Sequence, residues 1–167
     1  MIKGNKGEWS ELYVLLRLLA YGKIYAADDQ VKKIENVYFP ILKIIREEVK
    51  GKRLEYKIGE NEDVDIYSND VKIKSISKER LKKEADYLYN EIVNMKSRSF
   101  EIEQTEKFAN EIECYRLSAP STDKTDIKIQ IHDIHTGFEP VCGFSIKSEL
   151  GSAPTLLNAS GATNFVF

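Results

Sequence analysis

The stretch 122-TDKTDIKIQIHDIHTGFEPVCGFSIKSELG-151 holds two alternating runs separated by a turn near Thr136-Gly137. In an extended chain successive side chains point to opposite faces, so Ile127, Ile129 and Ile131 share one face while Asp126, Lys128 and Gln130 share the other. In the second run, Val141 to Ser148, the residues Phe144, Ile146 and Ser148 lie opposite Ser145, Lys147 and Glu149. The pattern predicts two antiparallel neighbours joined by a longish hairpin, each offering one face to a core. It also places a charged lysine, Lys147, in the middle of a run whose neighbours Phe144 and Ile146 suit a core. If the two polar faces coincide, Asp126 and Lys147 converge at one end of the hairpin.

Downstream, 151-GSAPTLLNASGATNFVF-167 predicts a short helix from Pro154 to Ala159 and the start of a strand at Asn164. The chain stops inside that strand, on Phe-Val-Phe with no turn, and so reads as a fragment of a longer protein. Upstream, 99–117 predicts a short helix around Glu106 to Glu111 and a strand from Glu113 to Leu117. Segment 78–96, preceded by Ser77, carries Leu81, Ala85, Leu88, Ile92 and Met95 at helical spacing, an apolar side expected to pack on the sheet. Residues 63–77 alternate on both sides of Ser68-Asn69-Asp70, the mark of two short strands and a turn. In 38–58, Ile41, Leu42, Ile44 and Ile45 fit a helix face, but Pro40, the β-branched content and Lys50-Gly51-Lys52 favour a hairpin. Residues 8–22 read as an amphipathic helix ended by Gly22.

These elements add up to an α/β (α+β) domain with a mixed central sheet flanked by helices. A length of 167 residues suits one domain. With 42% hydrophobic and 31% charged residues and no apolar run long enough to cross a bilayer, the chain reads as a soluble protein with no membrane partner. Glu8, Glu11 and Arg17 interrupt the apolar part of the N-terminus, which points to a cytoplasmic protein rather than a secreted one. Two cysteines, Cys114 and Cys142, are too few for a disulfide framework. A net charge of −2 neither supports nor excludes a nucleic-acid partner, although cations crowd in 50-KGKR-53 and 78-KERLKK-83. His132 and His135 with the two cysteines match no common zinc spacing, and no phosphate-binding glycine motif is present.

A carboxylate can hold a hard divalent cation, and a nearby ammonium can orient water or offset charge on a phosphorane-like transition state; phosphodiester hydrolysis needs both. From spacing alone, Asp126 and Lys147 are better described as a surface ion pair contributing ~0–1 kcal/mol.

The strings K-T-D-I-K-I around Asp126, G-F-S-I-K-S around Lys147 and L-G-S-A-P-T-L-L-N-A-S-G-A-T-N-F after it together resemble the PD-(D/E)XK restriction endonucleases, most closely the HpaII type. G-E-W-S-E-L-Y resembles the opening helix of that family. The resemblance spans nearly the whole chain in scattered blocks and is densest over 122–165. It implies a restriction-endonuclease-like core and a Mg²⁺-dependent type II restriction endonuclease that hydrolyses double-stranded DNA at a short palindrome of the C-C-G-G kind, acting as a homodimer.

Position by position, the resemblance implies that Asp126 binds metal, that Lys147 is the catalytic lysine, and that Glu11 on the first helix completes the metal site or orients a ligand to it. The family's usual acid two places before the lysine is here Ser145, a departure. Either Ser145 acts with the Ile146 backbone carbonyl and water, or a displaced acid supplies the charge; Glu149 is the best placed, and Gln130 could approach. Ser152, Thr155 and Asn158 could contact a DNA phosphate or cap a helix. The departure at Ser145 keeps open a catalytically inactive DNA-binding or oligomerisation portion of such an enzyme.

Overall fold

The computed structural model describes residues 2–49, 51–59, 62–118 and 125–150. The helix expected at Pro154–Ala159, the strand at Asn164, and Ser152, Thr155 and Asn158 lie outside them. Among the described residues three helices, α1 (Lys6–Tyr21), α2 (Lys78–Asn94) and α3 (Glu103–Glu111), accompany seven strands: β1 (Lys23–Ala27), β2 (Lys33–Val49), β3 (Lys52–Ile58), β4 (Asp63–Ser68), β5 (Val71–Ser77), β6 (Ile127–Ile131) and β7 (Val141–Phe144). The sheet order is β5-β4-β3-β2-β6-β7, with β1 paired to β2 off this path. Every pairing among the described strands is antiparallel. The α+β class expected from the sequence is what forms.

Helix α1 starts on a capping box. The Asn5 side chain accepts from the Glu8 N–H, and the Glu8 carboxylate accepts from the Asn5 N–H at 2.8 Å. It ends where Gly22 turns left-handed at φ +64° and donates its N–H to the Leu18 carbonyl. Trp9, Leu12, Leu15, Leu16 and Leu19 are fully buried along its inner side. Ser77 caps α2, which buries Leu81, Ala85, Leu88 and Ile92. That apolar side lies closest to α1, touches β5, and joins the buried residues of the sheet in one core.

Strand β2 has two halves. Its first half pairs with β1, Tyr25 opposite Tyr38 and Ile24 opposite Phe39; its second half runs between β3 and β6. Pro40 stands at the handover, where it lacks an N–H to give, and its carbonyl accepts from His132. The hairpin expected over 38–58 is present, turning at Gly51 with φ +82°. Its first strand begins earlier, at Lys33, and β1 is an addition to the reading. Between β4 and β5, Asn69 and Asp70 both have positive φ, the two-residue hairpin turn that Ser68-Asn69-Asp70 signalled.

The strand expected at Glu113–Leu117 does not form. Glu113 takes φ +63°, Cys114 donates back to Ala109 at 2.8 Å, and the Tyr115 N–H goes to the buried Glu48 carboxylate at 3.0 Å. With the amides of Glu113, Cys114 and Tyr115 spent on a helix end and a side chain, they are not offered to a ladder.

Ile44, Leu54, Tyr56, Val64, Ile66, Ile127, Ile129 and Ile131 line one sheet face and join the buried residues of all three helices in a single core. By register the other face carries Lys43, Ile45 and Glu47 of β2, Arg53, Glu55 and Lys57 of β3, and Lys128 and Gln130 of β6. That face is charged and open.

Candidate active site

Asp126 stands one residue before β6. Its N–H donates to the Phe144 carbonyl at 3.0 Å, and the β6–β7 register carried one residue on sets Ser145 opposite it. The Ile146 N–H, which a continuing ladder would give to a main-chain carbonyl, goes instead to Asp126 Oδ2 at 2.6 Å. This charge-assisted bond fixes the carboxylate and ends the ladder together. Lys147 therefore lies three residues beyond β7, and its expected place at the centre of a strand is corrected.

The face assignment nevertheless persists past the ladder. Val141, Gly143, Ser145, Lys147 and Glu149 are exposed, while Cys142, Phe144, Ile146, Ser148 and Leu150 are half-buried. Phe144, Ile146 and Leu150 pack on the core and keep the segment extended. Ser145, Lys147 and Glu149 thus share the outer side, as alternation predicted.

A second tie comes from α1. Leu150 N–H donates to Ser148 Oγ at 3.2 Å, Ser148 Oγ lies 2.9 Å from Ser10 Oγ, and Ser10 Oγ donates to the Lys6 carbonyl at 2.7 Å. Since Ser10 spends its proton on Lys6, Ser148 is the donor between the two hydroxyls. The chain docks residues 148–150 on α1 one residue before Glu11, which is half-buried. Asp126 meets the Ile146 N–H and has Ser145 opposite it in register, with Lys147 the next residue along the chain; Glu11 follows Ser10, the α1 residue that Ser148 touches, and Glu149 lies exposed.

Thr125 sits directly over Gly143. A Cβ on Gly143 would stand 2.5 Å from Thr125 Cγ2, so glycine is the residue that admits this close approach.

A cleft of about 350 Å³ opens beside the carboxylate, with Arg46, Glu47, Arg53, Arg116, Asp126 and Lys128 in its walls. Arg46 is held from behind: Nε donates to the buried Glu48 at 2.7 Å and a terminal nitrogen to the Arg116 carbonyl at 3.0 Å. Burial opposes its charge, but the Glu48 carboxylate and its neighbours outweigh that, and the guanidinium is pushed up and stays protonated. Behind it, burial pushes the Cys114 thiol up to about 11. Sequence reading noted the cations of 50-KGKR-53 but missed Arg46 and Arg116; no local pattern links residues that meet only after β2, β3 and β6 have paired.

Among the described residues no three His, Cys, Asp or Glu side chains cluster closely enough to hold a metal ion, so Asp126, Glu11 and Glu149 do not form a three-carboxylate cage. No helix among them is long and apolar enough to cross a membrane.

No solved structure matches the chain. Over 167 residues it is 43% identical to the Type II restriction enzyme HpaII of Haemophilus parainfluenzae, an alignment covering 98% of this chain and 46% of that one. The chain thus spans about half the length of the curated relative it matches. A model of the HpaII restriction endonuclease family matches residues 5–167, in keeping with the blocks around Asp126, Lys147 and the first helix. The chain belongs to the HpaII restriction endonuclease family.

Proposed function

We propose that this chain carries the cleavage centre of a type II restriction endonuclease that hydrolyses double-stranded DNA, with Mg²⁺ as cofactor and a C-C-G-G palindrome as its site. The observation that carries the reading is the Asp126 carboxylate, fixed by the Ile146 N–H in a cation-walled cleft, with exposed Lys147 on the adjoining residue. An anion, a neighbouring ammonium and a basic surround are the parts that a phosphodiester and its transition state call for. The family relation and the name of the relative support the same class.

The lack of a three-acid cluster among the described residues is compatible with Mg²⁺, which keeps several waters and binds through one or two carboxylates plus substrate phosphates. Asp126 and the Ile146 carbonyl would hold it, with Glu11 or Glu149 as a further acid. Bound there, the ion supplies charge stabilisation at the scissile phosphate and a more acidic water.

The chain's own residues do the rest. The Ile146 N–H keeps the carboxylate aimed, and the Lys147 ammonium faces solvent, where it meets the attacking water and the phosphate oxygens. Ser145, opposite Asp126 in register, offers a hydroxyl where the family has an acid. A palindromic site matches a two-fold dimer, and such an enzyme works in the cytoplasm, where the DNA is.

Nicking of supercoiled plasmid in Mg²⁺ tests the reading. The chain is expected to leave 5′-phosphate and 3′-hydroxyl ends, and Lys147→Ala to lower the rate by about a hundredfold or more. Equal rates for the two proteins would overturn it. Ser145 favours a second reading, a portion that binds DNA without cutting; a salt-dependent gel shift with no nicking by either protein would select that one.

A further inference from the structure

The open sheet face carries a charge arrangement that the cleavage centre does not use. Glu55 is only 3% exposed, yet it lies on the solvent side of the sheet, its register partners being Ile45 and Tyr67. What covers it is a ring of cations. Lys43 Nζ approaches Oε1 at 2.9 Å, an Arg53 terminal nitrogen the same oxygen at 2.5 Å, and Lys57 Nζ approaches Oε2 at 3.6 Å. Lys57 also lies 3.9 Å from the centre of the Tyr67 ring. Burying one carboxylate calls for one good partner; here three cations surround it. The Arg53 and Lys57 side chains are still 58% and 41% exposed, so their charged ends face water as well as Glu55.

The surplus is local. Lys128 flanks Ile45 from the β6 side as Glu55 does from the β3 side, which adds a fourth cation to the same patch. A second carboxylate on this face, Glu47, accepts from the Gly51 N–H at 2.9 Å. Further out on the sheet Lys72 is matched by Asp65 at 2.9 Å. In a chain of net charge −2, this face sets four cations, Lys43, Arg53, Lys57 and Lys128, against the carboxylates Glu47 and Glu55, next to Asp126.

The spacing suits a phosphate chain. Glu47 pairs with Arg53 on one side, and the β2–β6 register carried two residues beyond Ile45–Lys128 puts Asp126 on its other side. With strands ~4.8 Å apart, Arg53 and Asp126 stand ~10 Å from one another. That separation is short enough for both residues to face phosphates of one strand. Both residues line the same cleft.

We infer that Arg53, Lys43 and Lys57, held in array by Glu55, together with Lys128 form a backbone-binding track for the DNA flanking the phosphate at Asp126, with Glu55 as its positioning residue. The inference rests on the nuclease reading above and adds where the duplex lies. Phosphate contacts fix register without reading sequence, so the track acts alike on specific and non-specific DNA.

Fluorescence anisotropy of the chain on two duplexes, with and without C-C-G-G, measured from 50 to 200 mM salt, tests it. Arg53→Gln and Lys57→Gln are each expected to weaken binding equally on both duplexes. Each should also flatten the slope of log affinity against log salt by about one, so that the loss across this range shrinks about threefold per variant. Glu55→Gln discriminates further, because it adds net positive charge. A track set only by charge would bind more tightly, whereas an array that has lost its anchor binds several-fold more weakly. Circular dichroism melts check that each variant is folded, and the two exposed cations keep the test open should Glu55→Gln unfold the chain. Wild-type binding with unchanged slopes in Arg53→Gln and Lys57→Gln would overturn the track alone; a wild type that binds neither duplex would overturn the nuclease reading and the track with it.

Discussion

The Ile146 amide donates to Asp126 Oδ2 at 2.6 Å, so the residue beside Lys147 sets the direction of the acid just before β6. One bond thus joins the two halves of the candidate centre and closes the β6–β7 ladder. Asparagine can still accept that amide through its side-chain oxygen, whereas alanine cannot. Asp126→Asn is therefore expected to melt close to the wild type while losing Mg²⁺-dependent nicking. Asp126→Ala should lose nicking and also about 1.5–3 kcal/mol of stability, the range for a hydrogen bond to a charged group. Urea unfolding of the three proteins beside the plasmid assay checks both; an Asp126→Asn protein as destabilised as Asp126→Ala would show that charge rather than the amide contact holds the segment.

Gly143 is the second constraint on this geometry. A methyl group there would meet Thr125 Cγ2 at 2.5 Å, and Thr125 cannot move without shifting Asp126, the next residue. Gly143→Ala is expected to cost about 1–3 kcal/mol, as overpacking does, and to slow nicking as well. Thr125→Ser removes Cγ2, so the double variant should recover part of the loss. A double-mutant cycle on stability measures that coupling; strict additivity would mean that the two residues do not press on one another.

How much of this arrangement was legible depended on whether the signal was local. Asn5, Glu8 and Gly22 bracket α1 within one stretch of chain, and Asn69-Asp70 carries its own turn, so both were readable. The alternation from Val141 to Leu150 correctly assigned Ser145, Lys147 and Glu149 to the outside, because burial against the core outlasts the ladder. The end of β7 at Phe144 was not legible, since it is set by a side chain twenty residues earlier taking the Ile146 amide. Strand β1 exists through its partner β2, and the failed strand at Glu113–Leu117 loses its amide to Glu48, sixty-seven residues away. The Glu55 ring was legible only in part, since Arg53 and Lys57 are its neighbours on β3 but Lys43 comes from β2. In the sequence Arg53, Glu55 and Lys57 alternate onto one face of β3, and it is the pairing of β2 with β3 that adds Lys43 and closes the ring.

The two cysteines should behave differently. Cys114 is 1% exposed and burial pushes its thiol up to about 11, while Cys142 is half-buried at the β7 edge. At pH 8 only about one Cys114 side chain in a thousand is thiolate, the form that reacts. Brief treatment of the folded chain with iodoacetamide is expected to label Cys142 alone, and treatment in urea to label both, as read by peptide mass spectrometry. Equal labelling of the folded chain would mean that the pocket of Arg46, Glu48 and Tyr56 opens readily.

Acid should expose the role of Glu55 as an anchor. Burial alone would raise its carboxyl, but the Lys43 hydrogen bond and the charges of Lys43, Arg53 and Lys57 outweigh it and hold the group below the usual carboxylate range. A depressed folded value means that the unfolded chain takes up the proton first. The stability that Glu55 contributes is therefore fully present above its unfolded pKa and is lost as pH falls through the lower folded value. Urea midpoints of wild type and Glu55→Gln are expected to differ by a constant amount from pH 8 down to about 5, then to converge below the usual carboxylate range near ~4.3. Other depressed carboxyls, Asp65 and Glu113 among them, fall in the same window in both proteins and cancel in the difference. A gap that stays constant into acid would mean that Glu55 is no more stabilised as an anion in the fold than in the unfolded chain, and the three cations around it would then be neighbours rather than partners.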